Sequence, residues 1–93
     1  MASNQDYLTY VLELLREVQG ISYKKMMGEY ILYKDGIIFG GIYDNRFLIK
    51  KTKALEKYKL KEQIPYHKGS PMLLVDSEDP DYVQELIMLA LQK

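Results

Sequence analysis

The fold of this chain is decided by residues 31–50, whose sequence is ILYKDGIIFGGIYDNRFLIK. Asp35–Gly36 separates two apolar runs, and an Asp-Gly pair in that position is a strong signal for a β-hairpin because both residues accept positive φ. Asp44–Asn45 repeats the arrangement one strand later, since both residue types tolerate left-handed backbone conformations. The stretch therefore predicts three antiparallel strands joined by tight turns.

The residues before this meander predict a helix that ends near Gly20. Apolar residues recur there at the spacing of one helix face: Leu8, Val11, Leu12, Leu15 and Val18. Tyr7, Tyr10 and Leu14 lie off this stripe, and Ser3 or Asn4 can cap the start of the helix. Residues 22–27 form either a further strand or the first half of a long one, with the glycine at 28 as a bulge or bend.

The residues after the meander predict a helix, two strands and a last helix. Residues 51–61 favour a short basic helix, and Gln63–Lys68 favours an extended segment that Pro65 confines to a sheet edge. Met72–Val75 is a short apolar strand, and Asp79–Pro80 opens a helix with proline at its first position. Four residues form the buried stripe of that helix: Val83, Leu86, Ile87 and Ala90.

This element order predicts an α+β fold in two layers. The order is α-β(3)-α-β(2)-α, with an antiparallel sheet and flanking helices. The 93 residues have room for one core only, so we expect a single domain over residues 1–93.

Composition excludes several classes of function. The formal net charge is zero, so no whole-domain field attracts DNA or anionic lipid. The chain has no cysteine, which excludes disulfides, thiolate zinc sites and cysteine nucleophiles. Met1–Asp6 is polar, and the longest apolar run, Leu86–Leu91, is too short to span a bilayer. We expect a soluble, cytoplasmic protein with no membrane partner.

Few residues of the sequence suggest catalysis or metal binding. His67 has no nucleophile or orienting partner spaced near it. The acids of residues 76–81 could suit Mg²⁺ or Ca²⁺, but they also lie at a helix start, where carboxylates stabilise the helix dipole. We therefore predict no catalytic residue, no metal and no cofactor. Gly40–Gly41 lies within a strand and indicates tight packing or close approach of a ligand, so a small-ligand pocket near these glycines and Tyr30 stays open as an alternative.

Charge is distributed unevenly along the neutral chain. Residues 50–68 carry a net charge of +5, and residues 69–93 carry a net charge of −4. Four lysines of the basic segment could contact nucleic-acid phosphates: Lys53, Lys57, Lys59 and Lys61. Lysines without arginine or a groove-reading helix are weak evidence for specific DNA binding, so this function is the alternative and not the favoured one.

Tyrosine is the other unusual feature of the composition. The chain has nine tyrosines and no tryptophan. Tyrosine buries a large ring while keeping a polar hydroxyl, so it suits half-buried sheet faces and protein interfaces.

Residues 25–36, KMMGEYILYKDG, resemble the signature of the TfoX N-terminal-domain family. That signature runs roughly Arg-Met-Phe-Gly-Gly-Tyr-Gly-Leu-Tyr, followed by a short turn and an apolar strand with phenylalanine, which is Phe39 here. Residues 47–50 are similar to the family's Leu-Tyr-Leu-Lys, and the resemblance covers nearly the whole chain. At four positions the chain departs from the signature: Lys25, Met27, Glu29 and Ile31 replace arginine, phenylalanine and two glycines.

The resemblance implies a two-layer α+β domain similar to secretion-chaperone-like folds. It also implies a role in regulation through interaction, because the family has no known catalytic site. Family members that act in natural-transformation competence carry an additional C-terminal domain, so we do not carry that role over to this sequence.

Together these observations predict a non-enzymatic regulatory module that acts by protein–protein contact. The candidate contact residues are Tyr23, Lys24, Lys25, Tyr30 and Tyr33, with the basic segment 50–68 steering or orienting the partner. The sequence does not name the partner, and a homodimer formed through edge strands is one possibility.

Overall fold

Among the residues that the structure describes, six antiparallel strands form one sheet in the order β1-β2-β3-β4-β6-β5. The computed structural model describes residues 3–65 and 69–92. The elements in chain order are α1 (Gln5–Leu14), β1 (Ile21–Met26), β2 (Glu29–Lys34), β3 (Ile37–Tyr43), β4 (Arg46–Ile49), a 3₁₀ helix (Lys53–Tyr58), β5 (Glu62–Gln63), β6 (Met72–Leu74) and α2 (Pro80–Ala90). The predicted α+β class and antiparallel sheet are confirmed.

Tight turns join the first four strands. Met27–Gly28, Asp35–Gly36 and Asp44–Asn45 each have positive φ at both residues, which is the backbone of the type I′ turn. The two hairpins predicted around Asp35–Gly36 and Asp44–Asn45 are therefore confirmed.

The structure also settles the form of the segment that precedes Gly28. Residues 21–26 form a separate strand, β1, that pairs with β2 from Ile21↔Lys34 to Met26↔Glu29. The first block of the sheet consequently has four strands. Met27 has a left-handed φ of 52°, and with Gly28 it reverses the direction of the chain. A bulge in a single long strand would not reverse the chain.

The two α-helices cover one face of the sheet and bury most of the core. The predicted apolar stripes of both helices are buried, apart from half-buried Leu12, and Leu14 joins the core although it lies off the predicted stripe. Asn4 caps α1 by accepting the Tyr7 N–H at 2.8 Å. The predicted helix end near Gly20 is wrong, because α1 ends at Leu14. Leu15 and Val18 of the predicted stripe are buried, but they lie in the turns that lead on to Gly20, whose φ is +79°.

The segment between β4 and α2 is less regular than a run of α-helix and strand. The predicted basic helix is a 3₁₀ helix that ends where Lys59 takes a left-handed φ of 52°. Thr52, at the start of this helix, makes no capping bond with its side chain, and its hydroxyl donates to the Leu89 carbonyl at 2.9 Å. Of the predicted extended segment 63–68, Gln63 belongs to the two-residue edge strand β5 and residues 66–68, with His67, lie outside the described residues.

Candidate functional site

The five predicted contact residues lie together on the β1–β2 hairpin. Tyr23, Lys24 and Lys25 belong to β1, whereas Tyr30 and Tyr33 belong to β2. Side chains alternate between the two faces of a strand, and Lys25 lies directly opposite Tyr30. Tyr23, Lys25 and Tyr30 therefore share the face toward the helices, while Lys24 and Tyr33 share the opposite face. The structure brings the residues to one edge but divides them between two faces.

On the helix-side face, two tyrosines form an aromatic pair. The ring centroids of Tyr23 and Tyr30 are 5.8 Å apart, and their planes meet edge to face at 77°. Tyr30 is buried, whereas 48% of Tyr23 is exposed. The buried ring of Tyr30 thus packs against Tyr23, and Tyr23 is the ring of this pair that another molecule can contact.

β1 is an edge strand, with β2 as its one neighbour in the sheet. Residues next to a two-residue turn form a hydrogen-bonded pair, and such pairs alternate along an antiparallel ladder. Three residues of β1 therefore direct their N–H and C=O groups toward β2: Ser22, Lys24 and Met26. The other three direct theirs away from the sheet: Ile21, Tyr23 and Lys25. The bond from the Asp35 N–H to the Gly20 carbonyl, 2.9 Å, continues the same alternation.

The free edge carries positive charge. Lys24 and Lys25 are exposed, and neither forms an ion pair with any residue in 3–65 or 69–92. Lys34, on the neighbouring strand, is paired with Asp35 at 2.9 Å. Two uncompensated cations therefore project from β1, one on each face of the sheet.

The tip of the hairpin is apolar and exposed. Met27 is 96% exposed and has positive φ, a conformation that few side-chain-bearing residues adopt. Met26, beside it, is also exposed. We did not predict a role for Met27 from the sequence. Its position before a glycine, at the end of a strand, is typical of a two-residue turn and was the signal that could have placed it at an exposed tip.

The carboxylate of Glu29 joins the hairpin to two distant parts of the chain. Its Oε1 accepts the Ser3 N–H at 2.7 Å and the Ser3 hydroxyl at 2.6 Å, and its Oε2 accepts the Asp44 N–H at 2.8 Å. The Asn45 N–H in turn donates to the Ser3 Oγ at 2.9 Å. We call this group of residues the Glu29 latch. It holds the base of the β1–β2 turn against the β3–β4 turn and the start of the chain.

The four candidate lysines for nucleic acid lie on the 3₁₀ helix and just after it. All are exposed, and none forms an ion pair within the part of the chain that the structure describes. The Nζ of Lys57 lies 5.5 Å from the centroid of the Tyr58 ring. The Tyr58 hydroxyl donates to the Glu85 carboxylate at 2.8 Å, and this hydrogen bond raises the pKa of Tyr58. An acidic side chain of α2 thus lies beside the basic segment.

The residues of the alternative ligand pocket have structural explanations. A Cβ on Gly40 would overlap the Leu48 carbonyl oxygen, and a Cβ on Gly41 would lie 2.7 Å from the Tyr43 ring. Close packing within the sheet therefore accounts for both glycines. A shallow depression of about 380 Å³ includes Gly40 in its lining, but Tyr30 is not part of that lining.

One of the acidic residues in the range 76–81, Asp79, has a structural role. Asp79 caps α2, because its carboxylate accepts the Asp81 N–H at 3.0 Å. Within residues 3–65 and 69–92, no group of three or more histidine, cysteine, aspartate or glutamate side chains is placed to hold a metal ion. In the same ranges, no helix combines the length and apolarity that crossing a membrane requires.

Residues 13–92 match the family model of the TfoX N-terminal domain. The chain belongs to the TfoX N-terminal domain family. The match covers the whole sheet, α2 and the end of α1. A search of curated proteins found no relative that matches the chain.

The Glu29 latch joins a residue outside the matched range of this TfoX N-terminal domain to residues inside it. Ser3 precedes residues 13–92, whereas Glu29, Asp44 and Asn45 lie within them.

Proposed function

We propose that this chain is a non-enzymatic regulatory module that binds another protein along the free edge of β1. The observation that supports this proposal is the edge itself. β1 is six residues long, and five of its side chains are exposed. Unpaired N–H and C=O groups on such an edge are a template for a strand of another chain.

The side chains of the edge suit protein contact. Tyr23 offers an accessible ring, and Met26 and Met27 add apolar surface at the turn end of the strand. Tyrosine and methionine are enriched at protein interfaces, where large or adaptable side chains contribute area. Tyr33, on the opposite face of β2, is half-buried and extends this contact surface to the second face.

Site-specific crosslinking in the native cells tests this proposal. A photo-reactive amino acid placed at Tyr23 should give a discrete adduct with another protein. The matched control is Met88 on α2, because its exposed fraction of 47% equals that of Tyr23 within a percentage point. Adducts of the same yield at both positions, or none at Tyr23, would contradict the proposal.

A second candidate function is nucleic-acid binding by the basic segment. Four exposed lysines without an ion pair among the described residues favour it: Lys53, Lys57, Lys59 and Lys61. Fluorescence anisotropy with labelled duplex and single-stranded DNA tests it at about 50 and about 200 mM salt, since phosphate contacts lose affinity steeply over that range. Binding that is salt-sensitive and is lost when the four lysines are changed to glutamate would support this function. Absence of binding at low salt would exclude it for this chain.

A further inference from the structure

The unpaired backbone groups of β1 define how a partner segment could add to the sheet. Tyr23 and Lys25 both direct their N–H and C=O groups outward and are separated by one residue. An extended chain has the same two-residue repeat, so alternate residues of an incoming strand can bond to both of them.

The two free lysines define the charge of that segment. Lys24 and Lys25 are consecutive, so their side chains project to opposite faces of the sheet. Consecutive residues of an incoming strand also project to opposite faces. Two adjacent acidic residues, placed opposite Lys24 and Lys25, would therefore neutralise one lysine on each face.

The tyrosine pair defines a third position. Tyr23 lies two residues from Lys25 and shares its face. The incoming residue opposite Tyr23 would contact an exposed ring that packs edge-on against buried Tyr30. A large apolar residue fits there, because cross-strand aromatic and apolar pairs stabilise a sheet.

A second copy of this chain does not meet the charge requirement. Two β1 strands paired antiparallel about Tyr23 would place Lys25 opposite Ile21 and Lys24 opposite Ser22, and pairing about Lys24 would place two lysines face to face. β1 contains no acidic residue. Self-pairing therefore leaves the lysines uncompensated, and the edge fits a chain of different composition.

Resting on the proposed function, we propose that β1 binds an extended acidic segment of a partner protein as a seventh strand of the sheet. The segment carries two adjacent aspartate or glutamate residues opposite Lys24 and Lys25, and a large apolar residue opposite Tyr23. Backbone hydrogen bonds hold the segment, and the two lysines select its charge.

Selection of phage-displayed random decapeptides on the purified chain tests the proposal. The enriched peptides should contain an adjacent acidic pair with an apolar residue on one side of it. A selected peptide, synthesised and labelled, is then titrated against Lys25→Pro and Lys25→Gln. Both variants lose the charge, but only the proline variant loses the outward N–H. Proline is tolerated on an edge strand where its missing N–H would face solvent.

The peptide should bind Lys25→Pro about tenfold more weakly than Lys25→Gln, which corresponds to one lost backbone hydrogen bond. Thermal unfolding checks that the proline variant is folded. Peptides N-methylated at the residues that face β1 give the same test on the unchanged protein, and N-methylation should abolish binding.

Three results would overturn the proposal: no enrichment, enriched peptides without an acidic pair, or binding that survives both the proline variant and N-methylation. The crosslinking experiment separates this inference from the proposed function. An adduct at Tyr23 whose yield is the same in Lys25→Pro and Lys25→Gln would retain protein contact at the edge while rejecting strand addition. Loss of the adduct in the unsubstituted chain would reject the proposed function itself.

Discussion

The two edges of the sheet are built in opposite ways. β5, at one edge, has two residues, and the buried Pro65 follows it closely. The Arg46 guanidinium binds the Gln63 side chain at 2.8 Å and the carbonyls of Ile64 and Pro65 at 3.3 and 3.2 Å. β1, at the other edge, is three times as long, and five of its six residues are exposed. One edge strand is therefore short and followed by a segment that Arg46 holds, whereas the other edge strand is long and exposed.

The lysines of β1 are expected to suppress uncontrolled pairing at the open edge, since charged residues on edge strands oppose aggregation. The double variant Lys24→Val/Lys25→Val should therefore self-associate. The control Lys53→Val/Lys57→Val loses the same charge from the 3₁₀ helix and should not. Sedimentation velocity of both variants at equal concentration measures the difference. If the two variants sediment alike, the lysines of β1 have no special role in keeping the edge free.

Substitutions at the crowded centre of the sheet should lower the free energy of unfolding more than substitutions at either edge. Gly40→Ala places a Cβ against the backbone of β4, and we expect it to lower the free energy of unfolding by about 3 kcal/mol. Gly36→Ala is the control, because it has open space around it but a φ of +82°, and should cost about 1 kcal/mol. Urea denaturation measures both. A loss at Gly40 no larger than the loss at Gly36 would show that the sheet adjusts to the added Cβ, and crowding would then not explain the glycine at position 40.

The hydrogen bonds from Arg46 to Gln63, Ile64 and Pro65, which we call the Arg46 clamp, hold the end of β5 and the residues that follow it. Arg46→Ala removes the contacts to Gln63, Ile64 and Pro65 and should destabilise the protein by about 2 kcal/mol, since the donor is charged. Hydrogen exchange should also speed up at the Leu74 N–H, which bonds to the Lys61 carbonyl at 2.8 Å. The control is Arg16→Ala, which removes an exposed ion pair of 3.6 Å and should cost less than about 0.5 kcal/mol.

The Glu29 latch should contribute less to the free energy of unfolding than the contacts of Arg46, because it restrains a turn. A double-mutant cycle with Glu29→Ala and Ser3→Ala should give a coupling energy of about 1 kcal/mol. Urea denaturation of the two single variants and the double variant supplies the cycle. Additive effects would mean that the two side chains stabilise the protein independently, and the latch would then be no more than a set of close contacts.

The smallest expected effect is the contribution of the Tyr7 hydroxyl to the pH dependence of stability. Burial raises the pKa of Tyr7 above its ordinary value of 10.0, against a hydrogen bond with the Phe47 backbone that lowers it. The folded state then holds this proton more tightly than the unfolded state, so the contribution of Tyr7 to stability is complete below pH 10.0 and is lost as the pH rises through the folded pKa. Tyr7→Phe should therefore lose less stability than the unsubstituted chain between about pH 8 and about pH 11. Urea midpoints at the two pH values test this, and equal losses would contradict it.

The turns and helices were predictable because their signals are local. Asp-Gly and Asp-Asn accept left-handed φ, and the apolar periodicity of both α-helices places their buried faces directly. The 3₁₀ helix was harder to predict, since residue propensities do not distinguish it from a short α-helix. β1 was left open because Met27, a residue that seldom takes positive φ, makes the turn that separates it from β2.

The arrangement of the candidate contact residues was only partly predictable, and their contact role stays a prediction. The five residues were identified from composition and charge, but their division between two faces required the register of β1 against β2. The latch and the clamp were missed, because Glu29 and Arg46 bind groups 15 to 26 and 17 to 19 residues away along the chain. Local patterns contain no information about partners at that separation.

The two-residue turns also order the events of folding. Each strand pair of the β1–β4 meander joins residues that are close in the chain, so its closure costs little entropy and should be fast. Pairing of β6 with β4 joins Ile49 to Leu73 across a longer loop, and the bonds of Ser3 to Glu29 and Asn45 span 26 and 42 residues, so these contacts should form later. We expect the β1–β2 hairpin to form before Ser3 closes the Glu29 latch, so β1 would be complete before the N-terminal residues hold its turn in place.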